Sequence, residues 1–297
     1  MQPDEPDHAA PKPGPPASPA LRKSGAMRDL GPRVASAAVM ALVAFSLLYA
    51  GPMPFTALVL IAAVVMSWEW GTVVRGDAGI DAILIVHVVV VAAAVILAGG
   101  GYAALALIGL IAGTLVVGAL RFGETARLSA VGVLYTGMPA VALIELRTGE
   151  EPYGFLAVLF VLLSVIATDT LAYFAGRSVG GPKLWPSVSP NKTWSGFIGG
   201  ITGAAVVGLV FAGRLTGASP TRLAMVALLL GIVAQGGDLA ESALKRGFGV
   251  KDASNLLPGH GGLMDRLDGI VAAAIAAVLI GLAFNIHQPA RALLLGF

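Results

Sequence analysis

One uncharged stretch constrains this chain more than any other feature. From Ala82 to Leu120 the sequence contains no aspartate, glutamate, lysine or arginine. A membrane-spanning helix needs roughly 20 mostly apolar residues, so this stretch is long enough for two, and Gly99-Gly100-Gly101 divides it. Charged residues make up only 12% of the chain, whereas a soluble domain carries about 25%. Because so few charges cannot cover a water-exposed surface, the chain needs lipid as its solvent.

The apolar runs along the chain predict an all-α, polytopic integral membrane protein of about nine helices. Only helices and closed barrels satisfy the backbone within hydrocarbon, and unbroken runs of this length favour helices. A Pro-rich tail at residues 1–33 is predicted to be disordered, and transmembrane regions follow at 34–150 and 151–297. The predicted spans lie at about 34–50, 54–74, two within 82–120, 128–146, 153–175, 194–213, 221–245 and 264–286.

The basic residues lie mostly on one side of this predicted arrangement. With the amino terminus in the cytoplasm and one crossing per helix, fourteen of the 19 lysines and arginines fall on the cytoplasmic side. This bias follows the positive-inside rule and predicts a multi-pass protein of the cell inner membrane. No basic tract alternates with aromatic residues, so nucleic acid is not an expected partner. The chain has no cysteine, which excludes disulfides and thiolate metal sites.

Polar residues concentrate in two stretches, and the first begins inside the predicted sixth helix. Asp169, Tyr173 and Arg177 are spaced four residues apart, which places them on one helical face. An acid within a membrane helix is costly and by default indicates a functional site. A Gly- and Pro-rich loop follows, in which Lys183 and Lys192 favour binding of an anion. The alternative is a solvated loop whose lysines only determine topology.

The second polar stretch joins the predicted eighth and ninth helices. Asp238, Glu241 or Ser242, and Lys245 share one helical face, and Asp265 and Asp268 follow at the start of the ninth helix. Carboxylates that face one site repel each other, so a cation is expected among them, and oxygen ligands suit Mg²⁺. Bases beside these carboxylates favour a polyphosphate bridged by that metal. The alternative is a set of ion pairs that satisfies the helix ends at the membrane interface.

Three further polar residues need an interpretation of their own. Glu69 and His87 lie in apolar helices outside both stretches, and we interpret each as a packing or internally hydrogen-bonded residue. His260 lies between glycines, which favours a close approach of the backbone to a ligand. A role in packing the loop is the alternative for His260.

These residues together resemble the CDP-diacylglycerol synthase family, the phosphatidate cytidylyltransferases. Leu171 and Ser195 depart from the glycine and glutamate that many bacterial relatives carry. The resemblance is strong from Ala167 to Gly269 and rests on hydropathy alone over the first 150 residues. The family pattern and its spacing are matched by Ser242, Lys245-Arg246, Lys251-Asp252, Leu257-Pro258, His260-Gly261-Gly262 and Asp265-Arg266-Leu267-Asp268. The upstream stretch is matched by Asp169, Ala172-Tyr173-Phe174, Gly176-Arg177, Ser189-Pro190 and Lys192-Thr193-Trp194.

The resemblance implies an enzyme that moves the cytidylyl group of CTP onto phosphatidic acid, giving CDP-diacylglycerol and pyrophosphate. Residues 151–297 are then the catalytic region, with an active site that faces the cytoplasm. CTP, phosphatidic acid and the lipid bilayer are the implied partners, and the family suggests a homodimer. Mg²⁺ is the implied cofactor, bridging the CTP phosphates, with a second cation near Asp268.

Three sets of site residues follow from this resemblance. The predicted metal ligands are Asp238, Asp265 and Asp268. The predicted catalytic residues are Asp238, Lys245, Arg246, Lys251, Asp252, His260, Asp265, Arg266 and Asp268. The predicted substrate-binding residues are Asp169, Tyr173, Arg177, Lys183, Ser189, Lys192, Thr193 and Ser242. Catalysis would depend on alignment and charge neutralisation more than on a strong base.

Other functional classes fit parts of the same pattern. A transporter or channel explains Asp169 and Asp238 as an ion path, but not the clustering of bases with acids on one side. A membrane scaffold leaves the many polar groups at helix ends unexplained. CDP-alcohol phosphotransferases share an Asp-x-x-Asp-Gly fragment, which Asp265 to Gly269 matches, but they also need a second pair of aspartates. Residues 270–286 contain no such pair.

Overall fold

Ten helices and one β-hairpin form the part of the chain that the structure describes. The computed structural model describes residues 30–76, 79–120, 124–256 and 261–297, with the backbone alone for 30–37 and 124. The predicted tail lies outside these residues up to position 29. The helices are α1 (Leu30–Tyr49), α2 (Pro52–Arg75), α3 (Ala82–Gly99), α4 (Ala103–Leu120), α5 (Glu124–Arg147), α6 (Tyr153–Val179), α7 (Trp194–Ala212), α8 (Pro220–Gly247), α9 (Met264–Phe284) and α10 (Pro289–Leu295).

Most of these helices have the length and composition of membrane spans. Among the described helices, the eight from α2 to α9 are long and apolar enough to cross a membrane. The described part of α1 adds a shorter apolar stretch, Ala38–Tyr49. The prediction of an all-α polytopic membrane protein is confirmed, and its count of about nine spans is consistent with these helices. The long uncharged stretch forms α3 and α4, which are separated at Gly101, whose φ of 85° only glycine adopts readily.

Local capping signals determine where several helices begin and end. Proline stands in the first turn of α2 and α8, where its missing N–H group leaves no hydrogen bond unmade. Ser219 caps α8, and Thr193 caps α7 by accepting a hydrogen bond from the Gly196 N–H at 3.1 Å. α2 ends at Gly76 in the left-handed conformation, with φ of 71°.

Two short elements add to the predicted helices. The strands β1 (Lys183–Trp185) and β2 (Ser189–Thr193) form an antiparallel hairpin inside the Gly- and Pro-rich loop. Lys183 pairs with Thr193 and Trp185 with Ser189. The helix α10 has only seven residues, most of them buried against the rest of the protein. Elements this short carry too few residues to show a hydrophobic period, so the search for membrane spans does not find them.

Small residues let α6, α7 and α8 approach one another closely. A Cβ atom at Gly196 would lie 2.8 Å from the Ala172 carbonyl oxygen, and one at Gly208 would lie 2.3 Å from the Leu223 carbonyl oxygen. Backbone contact of this kind is how membrane helices associate where lipid removes the hydrophobic driving force. The three helices therefore pack backbone to backbone, and this packing defines the positions of the polar residues at their ends.

Two polar residues within apolar helices are buried and hydrogen-bonded, as predicted. His87 Nε2 lies 3.0 Å from Thr136 Oγ1, and His87 is 2% exposed. Glu69 is fully buried in α2 and accepts a hydrogen bond from the Met264 N–H at 2.6 Å. A buried polar group without a partner costs several kcal/mol by order of magnitude, so both contacts are needed for these helices to pack.

Candidate active site

A cavity of about 660 Å³ lies where α6, β2, α7, α8 and α9 meet. The end of α6, the start of α7, the end of α8 and the start of α9 all reach it, so the two polar stretches of the sequence form one site. Its volume is in the range of pockets that hold small ligands. The predicted site residues that line it are Asp169, Tyr173, Arg177, Lys192, Thr193, Asp238, Asp265, Arg266 and Asp268.

The last turns of α6 present three of these residues to the cavity on one face. Asp169, Tyr173 and Arg177 all line it, as their spacing predicts. Arg177 Nη1 donates a hydrogen bond to Tyr173 Oη at 3.0 Å, and the guanidinium carbon lies 5.9 Å from the centre of the tyrosine ring. This contact orients the guanidinium, which is a strong binding group for phosphate.

Asp238 of α8 forms an ion pair across the cavity wall with Lys192 of β2. Lys192 Nζ donates to Asp238 Oδ2, and Ser242 Oγ donates to Asp238 Oδ1 at 3.3 Å. The side chains of the pair are 25% and 28% exposed, so both remain accessible from the cavity. A pair at such a position offers one group to an anion and the other to a cation.

Asp265 of α9 is held more tightly than Asp238. Lys245 Nζ donates to its Oδ1, and the N–H groups of Ala253 and Gly262 donate to its Oδ2 at 2.9 and 2.7 Å. Lys245 also donates to Glu241 Oε1 at 2.9 Å, and both of these side chains are buried. Lys245 therefore lies behind the cavity wall and holds the orientation of Asp265.

Asp169 and Asp268 add further negative charge to the cavity. Asp268 lies close to the start of α9 and accepts a hydrogen bond from the Gly269 N–H at 2.7 Å. The carboxylates of Asp169 and Asp268 each lie close enough to Asp238 to repel it. Lys192 supplies one positive charge beside Asp238, and further positive charge would stabilise these acids.

Three polar residues of this region were not among the predicted site residues. Gln235 lines the cavity and donates from Nε2 to the Phe197 carbonyl oxygen at 3.2 Å. Glu241 is 1% exposed and accepts a hydrogen bond from Tyr135 Oη at 2.8 Å. Its spacing places Glu241, as an alternative to Ser242, on the helical face of Asp238 and Lys245. Tyr135 lies 106 residues away from Glu241 in an apolar helix, so no sequence pattern connects them.

Several predicted site residues do not reach the cavity wall. Lys183 is exposed on the hairpin and does not line the cavity. Arg246 is exposed and donates from Nη1 to the Val250 carbonyl oxygen at 3.0 Å, which closes the end of α8. His260 lies outside the described residues. The described residues that were predicted as site residues and neither line the cavity nor contact one of its aspartates are Lys183, Ser189, Arg246, Lys251 and Asp252.

The family of the chain follows from its sequence match. The family model described as "Cytidylyltransferase family" matches residues 31–284, from α1 to the end of α9. This chain is a member of the cytidylyltransferase family. The match includes the whole cavity and also the N-terminal helices, for which motif resemblance gave no support.

Relatives of this cytidylyltransferase carry a more specific name. Phosphatidate cytidylyltransferase of Brucella abortus is 39% identical over 259 residues, which cover 87% of this chain and 95% of that protein. The proteins of the same name from Bacillus subtilis and Staphylococcus epidermidis are each 42% identical, over 144 and 142 residues. These two alignments cover 48% of this chain and 52% and 53% of the relatives.

The acids of the cytidylyltransferase cavity offer the oxygen ligands that a hard divalent cation prefers. The four acids that line it are all aspartates, and the chain has no cysteine to compete as a ligand. Within the described ranges, no three acids, histidines or cysteines form a ready-made metal site. Mg²⁺ is typically held by one or two carboxylates together with substrate phosphates and water. The donor set therefore suits Mg²⁺ that binds with a nucleotide better than an ion enclosed by protein alone.

Proposed function

We propose that this chain transfers the cytidylyl group of CTP to phosphatidic acid, giving CDP-diacylglycerol and pyrophosphate. The observation that carries the proposal is a single cavity, in a membrane-embedded cytidylyltransferase, that collects four aspartates beside Arg177, Lys192 and Arg266. Both substrates present phosphate groups, and such a cavity provides bases for phosphates and acids for a cation. The names of its relatives support phosphatidic acid as the acceptor.

The reaction exchanges one phosphorus–oxygen bond for another. An oxygen of the phosphatidic acid phosphate attacks the α-phosphorus of CTP and forms a bond to it. The bond between the α-phosphorus and the oxygen that bridges to the β-phosphate breaks, and pyrophosphate leaves with that oxygen. The attacking phosphate is already an anion near neutral pH, so the protein needs to align the two substrates and neutralise their charge.

We assign the phosphate groups to the three bases that line the cavity. Arg177 and Arg266 enter from α6 and α9, and Lys192 enters from β2 between them in sequence. Lys192 is also paired with Asp238, which keeps the lysine ammonium group at the cavity wall. Lys245 is buried against Glu241 and Asp265 and acts by orienting Asp265.

Asp238, Asp265 and Asp268 are the residues we assign to Mg²⁺, with a second cation near Asp268. When bound, Mg²⁺ offsets the charge that develops on the leaving pyrophosphate. Asp238 and Asp268 already repel one another, so a cation would stabilise the site as well as the nucleotide. Asp265 contributes a carboxylate whose direction is set by Lys245 and two backbone N–H groups.

We also propose that the cavity faces the cytoplasm across the inner membrane. The bases predicted to lie on that side include Arg177, Lys192 and Arg266, all of which line the cavity. CTP would enter from the cytoplasm, while the acyl chains of phosphatidic acid would stay in the lipid. The homodimer stays a prediction, which light scattering of the detergent-solubilised protein would test.

A labelled-nucleotide assay tests the proposed activity. Purified protein in detergent is mixed with phosphatidic acid and with CTP labelled at either the α- or the γ-phosphate. The α label is expected in the lipid extract and the γ label in the water phase as pyrophosphate. A chelator is expected to stop the transfer, and excess Mg²⁺ is expected to restore it. Diacylglycerol is the control acceptor, because it lacks the attacking phosphate and should give no labelled lipid.

Two results would contradict the proposal. If folded protein transfers no label from α-labelled CTP to lipid, the proposed transferase activity is ruled out. Vesicles that move an ion or solute through the protein without labelling lipid would favour the transporter alternative.

A further inference from the structure

Glu69 of α2 is a fully buried carboxylate, and its three described hydrogen bonds all come from residues 254–264 in the second half of the chain. It accepts from Ser254 Oγ at 2.6 Å, from the Leu263 N–H at 2.8 Å and from the Met264 N–H at 2.6 Å. These partners lie 185 to 195 residues away in sequence. A buried carboxylate is tolerated where donors satisfy it, and three donors do so here.

The two N–H groups bound by Glu69 are those at the beginning of α9. Leu263, the residue at the N-cap position of α9, provides no capping side chain, so the first N–H groups of the helix need an acceptor from elsewhere. A carboxylate at this position also interacts favourably with the positive end of the helix dipole. Glu69 therefore caps α9 from a helix in the other half of the chain.

Asp265 holds the same two segments through neighbouring backbone N–H groups. Its Oδ2 accepts from the N–H groups of Ala253 and Gly262, which directly precede the Ser254 and Leu263 donors to Glu69. The segments are in tight contact, because a Cβ atom at Gly262 would lie 2.7 Å from Glu69 Oε1. A shift of Glu69 would thus be passed to the backbone that holds Asp265.

Apolar packing surrounds this junction and fixes its geometry. Met66 and Trp70, which flank Glu69 on α2, pack in one buried cluster with Ala253 and Met264 of the catalytic half. Trp70 Nε1 donates to the Leu128 carbonyl oxygen at 2.8 Å, which ties the same part of α2 to α5. Buried, packed neighbours therefore hold Glu69 on its own side of the junction.

We infer that Glu69 is a positioning residue that holds Asp265 at the cavity, so that the N-terminal half of the chain helps to position the active site. The inference rests on the proposed role of Asp265 in the transfer reaction. Glu69 itself does not line the cavity. Its effect passes through the start of α9, where an error of about 1 Å in the position of a reacting group is enough to cost about 100-fold in rate.

Replacement of Glu69 by glutamine tests this inference. An amide keeps the shape of the carboxylate but places an NH₂ group against either the Met264 N–H or the Leu263 and Ser254 donors, which repels a donor. E69Q is expected to lower kcat at least 10-fold and to raise the Mg²⁺ concentration that gives half-maximal activity at least threefold. A role in packing alone would lower the melting temperature without a change in the Mg²⁺ requirement of the folded enzyme.

Ser67→Ala provides the matched control on the same helix. Ser67 is fully buried, donates from Oγ to the Ala63 carbonyl oxygen at 2.7 Å and lies 3.2 Å from Thr136 Oγ1. The substitution removes a buried hydrogen bond between α2 and α5 without touching the α9 junction. Its kcat and Mg²⁺ requirement are expected to match the wild type.

Glu69→Asp keeps the test open if E69Q does not fold. Aspartate retains the charge but is one methylene shorter, so kcat is expected to fall at least threefold and to lie between the wild-type and glutamine values. Wild-type kcat and Mg²⁺ dependence in the variant that folds would overturn the inference. If the wild-type enzyme is fully active in chelator, the metal role assigned to Asp265 is wrong instead. The kcat of the Glu69 variants, compared with that of the wild type, would then decide the role of Glu69.

Discussion

Asp238 and Asp265 line one cavity but differ in exposure and in how firmly hydrogen bonds hold them. Asp238 is paired with Lys192 at a position more than a quarter exposed, whereas the side chain of Asp265 is only 6% exposed. Asp265 accepts three hydrogen bonds, two of them from backbone N–H groups that do not change rotamer. The carboxylate of Asp265 is thus preorganised, and its orientation costs nothing during the reaction.

Substitution of Asp265 by asparagine is expected to lower kcat by about 10²- to 10³-fold, the range seen when one electrostatic group of a preorganised site is removed. The amide has no charge and one acceptor oxygen, and it leaves buried Lys245 with Glu241 as its remaining described acid partner. Turnover measured over a range of Mg²⁺ concentrations checks this. Near-wild-type turnover at saturating Mg²⁺ would falsify the role of Asp265.

Asp81→Asn is the matched control for that substitution. Asp81 caps α3 by accepting a hydrogen bond from the Leu84 N–H at 2.7 Å, and it does not line the cavity. Asparagine is about as good a cap as aspartate, but it removes the charge that pairs with largely buried Arg75 at 3.5 Å. The midpoint of unfolding is therefore expected to fall, while turnover of the folded protein is expected to be unchanged.

At the level of elements, the cavity depends on how closely α6, α7 and α8 pack. Acids and bases enter from the ends of these helices, so their separation sets the separation of the charged groups. Glycines set that distance, because the α7 backbone lies against backbone atoms of α6 at Gly196 and of α8 at Gly208. The packing of these helices is thus linked to the chemistry at their ends.

Gly208→Ala is expected to destabilise the protein by about 1–3 kcal/mol, the usual cost of overpacking. The new Cβ atom would lie 2.3 Å from the Leu223 carbonyl oxygen, and a backbone atom cannot rotate away as a side chain does. The change is measured as a lower midpoint of thermal unfolding in detergent. Gly109→Ala is the control, because a Cβ atom at Gly109 in α4 would meet nothing within 4 Å. Equal midpoints for the two variants would contradict the packing argument.

For the whole molecule, the decisive feature is that the first half of the chain contacts the helices that carry the site. Residues 34–150 and 151–297 look separable in sequence, since the polar residues concentrate in the second region. In the fold, Glu69 of α2 binds the start of α9, and Tyr135 of α5 binds Glu241 of α8. The first half therefore supports the catalytic half directly, in addition to anchoring it in the membrane.

The proposed orientation in the membrane is open to a direct test, because the chain has no cysteine. Ser187 in the hairpin and Thr216 between α7 and α8 are both exposed and lie at opposite ends of α7. A membrane-impermeant maleimide is expected to label Thr216→Cys in spheroplasts and Ser187→Cys only after the membrane is opened. The reverse pattern would contradict the orientation. Labelling of both variants from outside would contradict the crossing of α7.

Several site residues were predictable because the necessary information is local. Asp169, Tyr173 and Arg177 share a face through helical spacing alone, and all three line the cavity. Asp265 and Asp268 were placed at the start of a helix in the same way. Lys183 shows the limit of this reasoning, because its position depends on which side of a three-residue strand faces the site.

The sequence by itself determined the membrane setting, the helical class and the family, since each is encoded in long apolar runs or in an ordered motif that survives without knowledge of contacts. Only the tertiary structure decided which acids meet which bases: Lys192 with Asp238, Lys245 with Asp265, and Glu69 with the start of α9. The reason is physical. Helical periodicity is a property of neighbouring residues, whereas these contacts join residues 20 to 195 positions apart and depend on how whole helices pack.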